Sequence, residues 1–237
     1  GYKAYKQIAG RYQGPGFVLS IDHVQGDPFA EPSRLRIFVS KGRGNFPAWA
    51  FENQTRRVAA ADFINRGLAH NVRTITQRCG SGKSGLIEVL IPGQQVLQRT
   101  SLFLNDQGEV EARIKVGLPA RGRSVLGRAA KNLLLNNVVD LVEASLLYAA
   151  LSEEDLKHHL NSVEDSQALR DQLRDRGLVS FVANGAILPR RSGVDDRPAQ
   201  GSNIIAFQSP NLRSLTLRAP NAGDIVGMGI PEGITLI

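Results

Sequence analysis

The alternation of apolar and polar residues is sharpest over 109–116. Glu109, Glu111, Arg113 and Lys115 fall on one side and Val110, Ala112, Ile114 and Val116 on the other, the period-two pattern of a strand with one buried face. The turn-rich Asn105-Asp106-Gln107-Gly108 joins it to an apolar run over 100–104, which predicts a hairpin. Upstream, 2–8 predicts a short helix ahead of the Gly14-Pro15-Gly16 break, and strands are predicted over 17–21 and 34–39 around the polar loop 22–28. From 52 to about 70 the period becomes helical, with Val58, Ala59, Phe63 and Leu68 on or near one face. After Gly85 the residues 86–91 read as another strand.

In the second half, Ser124 is expected to cap a long helix running to about Leu151. Its buried stripe would be Leu126, Ala130, Leu133, Leu134, Val138, Leu141, Val142, Ser145, Leu146 and Ala149. Ser152-Glu153-Glu154-Asp155 and Ser162-Val163-Glu164-Asp165 look like two further helix starts, with acids where the helix dipole favours them. The second of these helices should end at Gly177, and 178–182 reverts to strand. The charged, turn-rich loop 189–201 is the natural domain boundary. Strand-like runs over 204–208, 212–218 and 224–228 then lead to the β-branched 234–237. Strands and helices mix without strict alternation, which predicts an α+β fold with a mixed or antiparallel sheet and several helices. The expected division is an accessory domain over 1–198 and the opening strands of another domain over 199–237.

Composition narrows the class. Of 237 residues 42% are apolar and 22% charged, which excludes a disordered chain. The longest apolar stretch, 133–151, is broken by Asn136, Asn137, Asp140 and Glu143, so no membrane span is expected. No charged-then-apolar leader opens the sequence, and the single Cys79 suits a reducing compartment; together these imply a cytoplasmic protein. The net charge is +7, and arginine supplies 22 of the 29 basic residues. Arginine forks onto phosphate in a way lysine does not, so the balance points to a polyanion partner.

Three basic constellations stand out. Leu118-Pro119-Ala120-Arg121-Gly122-Arg123-Ser124 sets Arg121 and Arg123 just before the predicted helix start, with Arg128 and Lys131 continuing the charge along the helix. Gly80-Ser81-Gly82-Lys83-Ser84-Gly85 contains G-K-S, but the phosphate loop wants a glycine where Gln77 stands, and an extended segment rather than a helix follows. What survives there is an anion nest around Lys83 and Ser84. Arg190 and Arg191 lie in the loop at the expected domain boundary, where they would bind nucleic acid or dock a second domain. The alternative for all of these arginines is internal pairing with acids. His158 and His159 are adjacent and complete no metal-ligand spacing, and Asp22, His23 and Asp27 read as turn formers. No catalytic residue and no metal site is assigned.

The runs from Tyr5-Lys6-Gln7-Ile8 to Tyr12, 21–30, 117–123, 187–193 and 227–237 together resemble the predicted ATPases of the ABC class, in order and over essentially the whole sequence. The resemblance implies an ATPase using ATP and Mg in its full-length form, two ATPase domains pairing around nucleotide as a homodimer, and a link to nucleic acid, RNA more than DNA. In that family the segment similar to 227–237 continues into a Walker A loop. The sequence is therefore expected to stop just before the nucleotide site, leaving a piece that needs no cofactor of its own and is not itself catalytic. Its partners would be nucleic acid and the remaining ATPase domain, with no membrane. Two rivals remain at this point: a protein-interaction or dimerisation module, and a small enzyme acting on a phosphorylated molecule.

Overall fold

The computed structural model describes residues 1–234. Its strands are β1 (Gly10–Gln13), β2 (Phe17–His23), β3 (Ser33–Val39), β4 (Ile87–Glu88), β5 (Leu102–Leu104), β6 (Val110–Val116), β7 (Ala120–Arg121), β8 (Ser124–Val125), β9 (Leu178–Ala183), β10 (Ser214–Ala219) and β11 (Gly223–Pro231). Its α-helices are α1 (Lys41–Gly44), α2 (Gln54–Ile75), α3 (Gly127–Asn132), α4 (Val138–Ser145) and α5 (Glu153–Asp175). Every strand pairing is antiparallel, and the class is α+β as the pattern predicts. No helix among the described residues is long and apolar enough to cross a membrane.

The chain divides into two units, Gly1–Leu160 and Asn161–Ile237, and the division falls within α5. This corrects the boundary expected at 198/199. The reason is strand pairing: β9 hydrogen-bonds to β11, so the stretch before the charged loop belongs with the strands after it. The loop 189–201 is an excursion within the second unit, drawn together by an isolated bridge between Arg190 and Pro198.

The first unit is built on a sheet of order β1-β2-β3-β6-β4, with β5 also paired to β6. Alternation in β6 is as predicted: Val110, Ala112, Ile114 and Val116 are buried beside Leu35, Ile37 and Val39 of β3. Two predicted strands shrink. Both β4 and β5 pair with the same edge of β6, at Lys115–Val116 and at Val110–Ala112 respectively, and at their full predicted lengths the two would overlap along it. The chain between them leaves the sheet. Helix α2, capped by the Asn53 side chain accepting from Arg56 N, packs against β5 and α4. It outruns the predicted end because Val72, four residues after Leu68, continues its buried stripe. Strand β1 carries no apolar alternation and is exposed throughout, which is why the pattern does not reveal it.

The single helix expected over 124–151 is broken into pieces. Ser124 lies in β8, paired with β7, and the helix begins only at Gly127. Between α3 and α4 the residues Leu133–Asn137 form a π-helical turn. Leu133 and Val138 are both buried and five residues apart, so the wider turn keeps them on one side. Ala149, placed in the stripe by sequence, is exposed beyond the helix end.

Residues 153–175 form one helix where two were expected. Ser152 caps it, its Oγ accepting from Asp155 N at 3.2 Å. Ser162 is interior. Asp165, expected in a first turn, instead accepts the backbone N–H groups of Asn221 and Ala222 at 2.8 and 3.0 Å and so holds the β10–β11 turn within the second unit. That unit's sheet has the order β10-β11-β9. The predicted strand over 204–208 does not form, and the runs at 212–218 and 224–228 become β10 and β11. Of the strand predicted over 234–237, Ile234 is exposed and outside β11, and the remainder lies outside the described residues.

Candidate nucleic-acid interface

The short 3-10 helix Tyr2–Ile8 is pinned by its two tyrosines. Tyr2 and Tyr5 bury their rings with Leu118, Ala120 and Ala130, and their hydroxyls donate to the carbonyls of Leu118 (3.0 Å) and Pro119 (2.6 Å). Burial pushes both phenols up, Tyr5 to about 12, so each stays protonated and keeps donating. This small core fixes residues 117–130, and with them the basic segment.

The glycine-rich loop at 80–85 packs on the other side of the same segment. Ser81 N donates to Ala120 O, Gly85 N to Gly117 O, each at 2.7 Å, and Lys83 N to Pro28 O at 2.8 Å. Gly117 has no room for a side chain, since a Cβ there would lie 1.8 Å from Lys83 O. Ser84 is buried, and its Oγ accepts from Ala120 N at 3.0 Å while lying 2.6 Å from Ser81 O. The backbone N–H groups of Ser81, Lys83, Ser84 and Gly85 are thus committed to carbonyls, and the Ser84 hydroxyl staples two loops. Lys83 reaches Glu31 at 3.2 Å, and Glu31 also takes Lys115; hydrogen bonds and charge from the two lysines hold its carboxyl below the usual range. Ser84→Ala should therefore destabilise the first unit by about 1–3 kcal/mol, the cost of orphaning a buried N–H. Thermal melts alongside RNA binding check this: a loss of affinity at unchanged stability would make Ser84 a ligand after all.

Arg121 and Arg123 sit at the tip of the β7–β8 hairpin, where Gly122 takes φ +55 and donates its N–H to Ser81 Oγ at 2.9 Å. They do not precede a helix start directly, as expected from sequence; the intervening hairpin displaces α3 to Gly127. Arg128 and Lys131 lie on α3. All four are exposed, and none has an acidic partner among the described residues. Lys3 and Lys6 are exposed on the 3-10 helix that packs against β8. These two lysines were missed by sequence reasoning, although a signal existed. Residues 1–21, 63–87 and 112–139 hold thirteen of the 29 basic residues and none of the 22 acidic ones. The rest of the chain carries 16 basic and 22 acidic residues, so the positive balance resides in these three stretches. Parts of all three converge on the tyrosine core.

Arg190 and Arg191 belong to the second unit. Arg191 faces Asp195 at 3.7 Å, and Asp195 is held at about 2, chiefly by its hydrogen bond from Arg197. Asp22 and Asp27 serve structure: Asp22 takes Arg36 at 2.6 Å, and Asp27 accepts the N–H groups of Phe29 and Ala30. His158 is exposed, whereas His159 approaches the buried Asp62 at 3.5 Å, joining Arg66 (2.6 Å) and Arg99 (2.9 Å) around it. Sequence spacing could not reveal this four-residue cluster, because Arg99 arrives from the loop between β4 and β5.

ATP and Mg do not fit the G-K-S segment. Lys83 is paired, Ser84 is buried, and β4 rather than a helix follows. Among the described residues no group of three or more His, Cys, Asp or Glu is placed to hold a metal ion.

A comparison with curated proteins gives no match. Two family models do match: one described as ATPase of the ABC class, N-terminal, over residues 1–149, and one described as a P-loop domain over residues 152–237. Their junction, like the structural division, precedes the charged loop. The first model alone covers more than half of the chain, and the chain therefore belongs to the family of ABC-class ATPases, with that family's N-terminal region followed by P-loop domain sequence.

Proposed function

We propose that the first unit is a non-catalytic accessory domain that binds nucleic acid, RNA in preference to DNA, for an ABC-class ATPase. One observation carries this reading: Arg121, Arg123, Arg128 and Lys131 are exposed on a fixed hairpin and helix, without acidic partners among the described residues. Cations that neutralise nothing within the protein are available to a phosphate backbone. Lys3 and Lys6 extend the same surface, while Lys83 contributes only through the charge that it and Lys115 together hold in excess over Glu31. Contacts of this kind position a strand without specifying its sequence. ATP and Mg, on this reading, are the business of the P-loop domain, and so is pairing of two copies around nucleotide.

The test is a salt series with a short single-stranded RNA, followed by fluorescence anisotropy. Four phosphate contacts predict that log K falls with log salt at a slope of about −3. An affinity that stays flat from low to high salt overturns the proposal.

A further inference from the structure

The large sheet has a second face. The alternation that buries Leu35, Ile37 and Val39 of β3 turns Arg34, Arg36 and Phe38 the other way, and β6 does likewise with Arg113 and Lys115. Register sets Arg36 between Ser20 and Arg113, and Phe38 between Val18 and Glu111, with Phe103 of β5 beyond Glu111. The rings are dressed by guanidinium groups: Arg11 and Arg36 lie 5.1 and 5.3 Å from the Phe38 centroid, and Arg113 lies 5.2 Å from that of Phe103. Beside them runs a groove of about 850 Å³. Its lining includes four cations, Arg34, Arg36, Arg113 and Lys115, against two acids, Asp22 and Glu88. Its wall is the chain that leaves the sheet between β4 and β5, including Ser101, whose buried Oγ has no hydrogen-bond partner among the described residues, and the exposed Leu90.

A free anion would ask only for Arg34, the cation of this groove without an acidic partner among the described residues. It would leave the aromatic rings, their stacked guanidinium groups and the apolar wall unused. Unpaired bases use all of them: they are flat, they stack on aromatic and guanidinium planes, and they carry an anionic backbone. We infer that this face of the sheet is a stacking platform for the bases of single-stranded RNA, with Phe38 and Phe103 as its two supports and Arg34 as a phosphate contact. The inference rests on the nucleic-acid reading of the hairpin surface and adds to it what that surface cannot supply, a preference for exposed bases. Lys115 lies six residues before Arg121 and shares Glu31 with Lys83, so a strand held at the hairpin has a cationic route to the sheet.

The experiment uses the full chain and two oligomers of equal length, oligouridine RNA and its abasic counterpart, at fixed salt. The wild type should bind the base-bearing oligomer about tenfold more tightly. Phe38→Ala with Phe103→Ala should bring that ratio close to one and leave the salt slope unchanged. Should the pair fail to fold by circular dichroism, Arg11→Gln with Arg113→Gln, which removes a guanidinium plane beside each ring, is read in its place, with a severalfold fall in the ratio expected. Salt-dependent binding with no preference for bases, or a ratio that the variants leave intact, overturns the platform and leaves the hairpin reading standing. No binding of either oligomer overturns both.

Discussion

Replacing Arg121, Arg123, Arg128 and Lys131 together by glutamine is expected to lower the affinity for single-stranded RNA about 10²–10³-fold near 0.1 M salt. Each phosphate contact on a single strand contributes about 0.7 to the logarithmic salt slope, or roughly fivefold per decade of salt, and four contacts compound. The slope should flatten by about 3 at the same time. Both quantities come from one titration series, and they must move together, since affinity lost with the slope intact would mean that the variant had disturbed something other than ion release. Folding should be unaffected, because the four side chains are exposed and none has an acidic partner among the described residues. The rival reading is tested by reversing the charge of Arg121, Arg123 and Arg128 in the full-length protein. Dimerisation that fails while RNA affinity holds would make this surface a protein-docking face.

Much of this surface was legible in the sequence, and the illegible part has identifiable causes. The strand over 109–116 declares itself because one face is buried and the other is not, and the arginines of 121–128 declare themselves by local density. The hairpin that carries them does not. Ser124 resembles a helix cap, and only the positive φ at Gly122, together with the bond from Gly122 N to Ser81, shows that the chain turns back first. Ser84 misleads for the converse reason: glycines around a serine and a lysine suggest a ligand cradle, yet here they permit backbones to approach, as the absence of space at Gly117 makes plain. A short motif cannot distinguish close approach to a phosphate from close approach to another loop. The loop 189–201 resembles a linker because charge and turn residues are local signals, whereas the pairing of β9 with β11 that spans it is not.

Asp62→Asn should be the most destabilising conservative change in the first unit, by about 3–5 kcal/mol. The Asp62 side chain is fully buried, and two guanidinium groups and one imidazole converge on its carboxylate. Removing the negative charge leaves those groups facing one another with nothing to balance them, which is costlier than losing a single hydrogen bond. Arg99→Met should cost less, since Arg66 and His159 remain as partners. The pH dependence has a definite sign. Burial pushes the Asp62 carboxyl up, but the neighbouring His159 and Arg66 outweigh it and hold the carboxyl below the ordinary aspartate range. A carboxyl whose value is depressed in the fold binds its proton more readily when unfolded. Its contribution is therefore fully present above the unfolded value of about 3.9 and is lost as the pH falls through the folded value. Urea unfolding of wild type and Asp62→Asn across an acid series reads this directly. The gap between the two proteins should be widest near neutral pH and close as the solution becomes strongly acidic. A gap below about 1 kcal/mol at neutral pH, or one that widens on acidification, would show that Arg66, Arg99 and His159 are held by something other than Asp62.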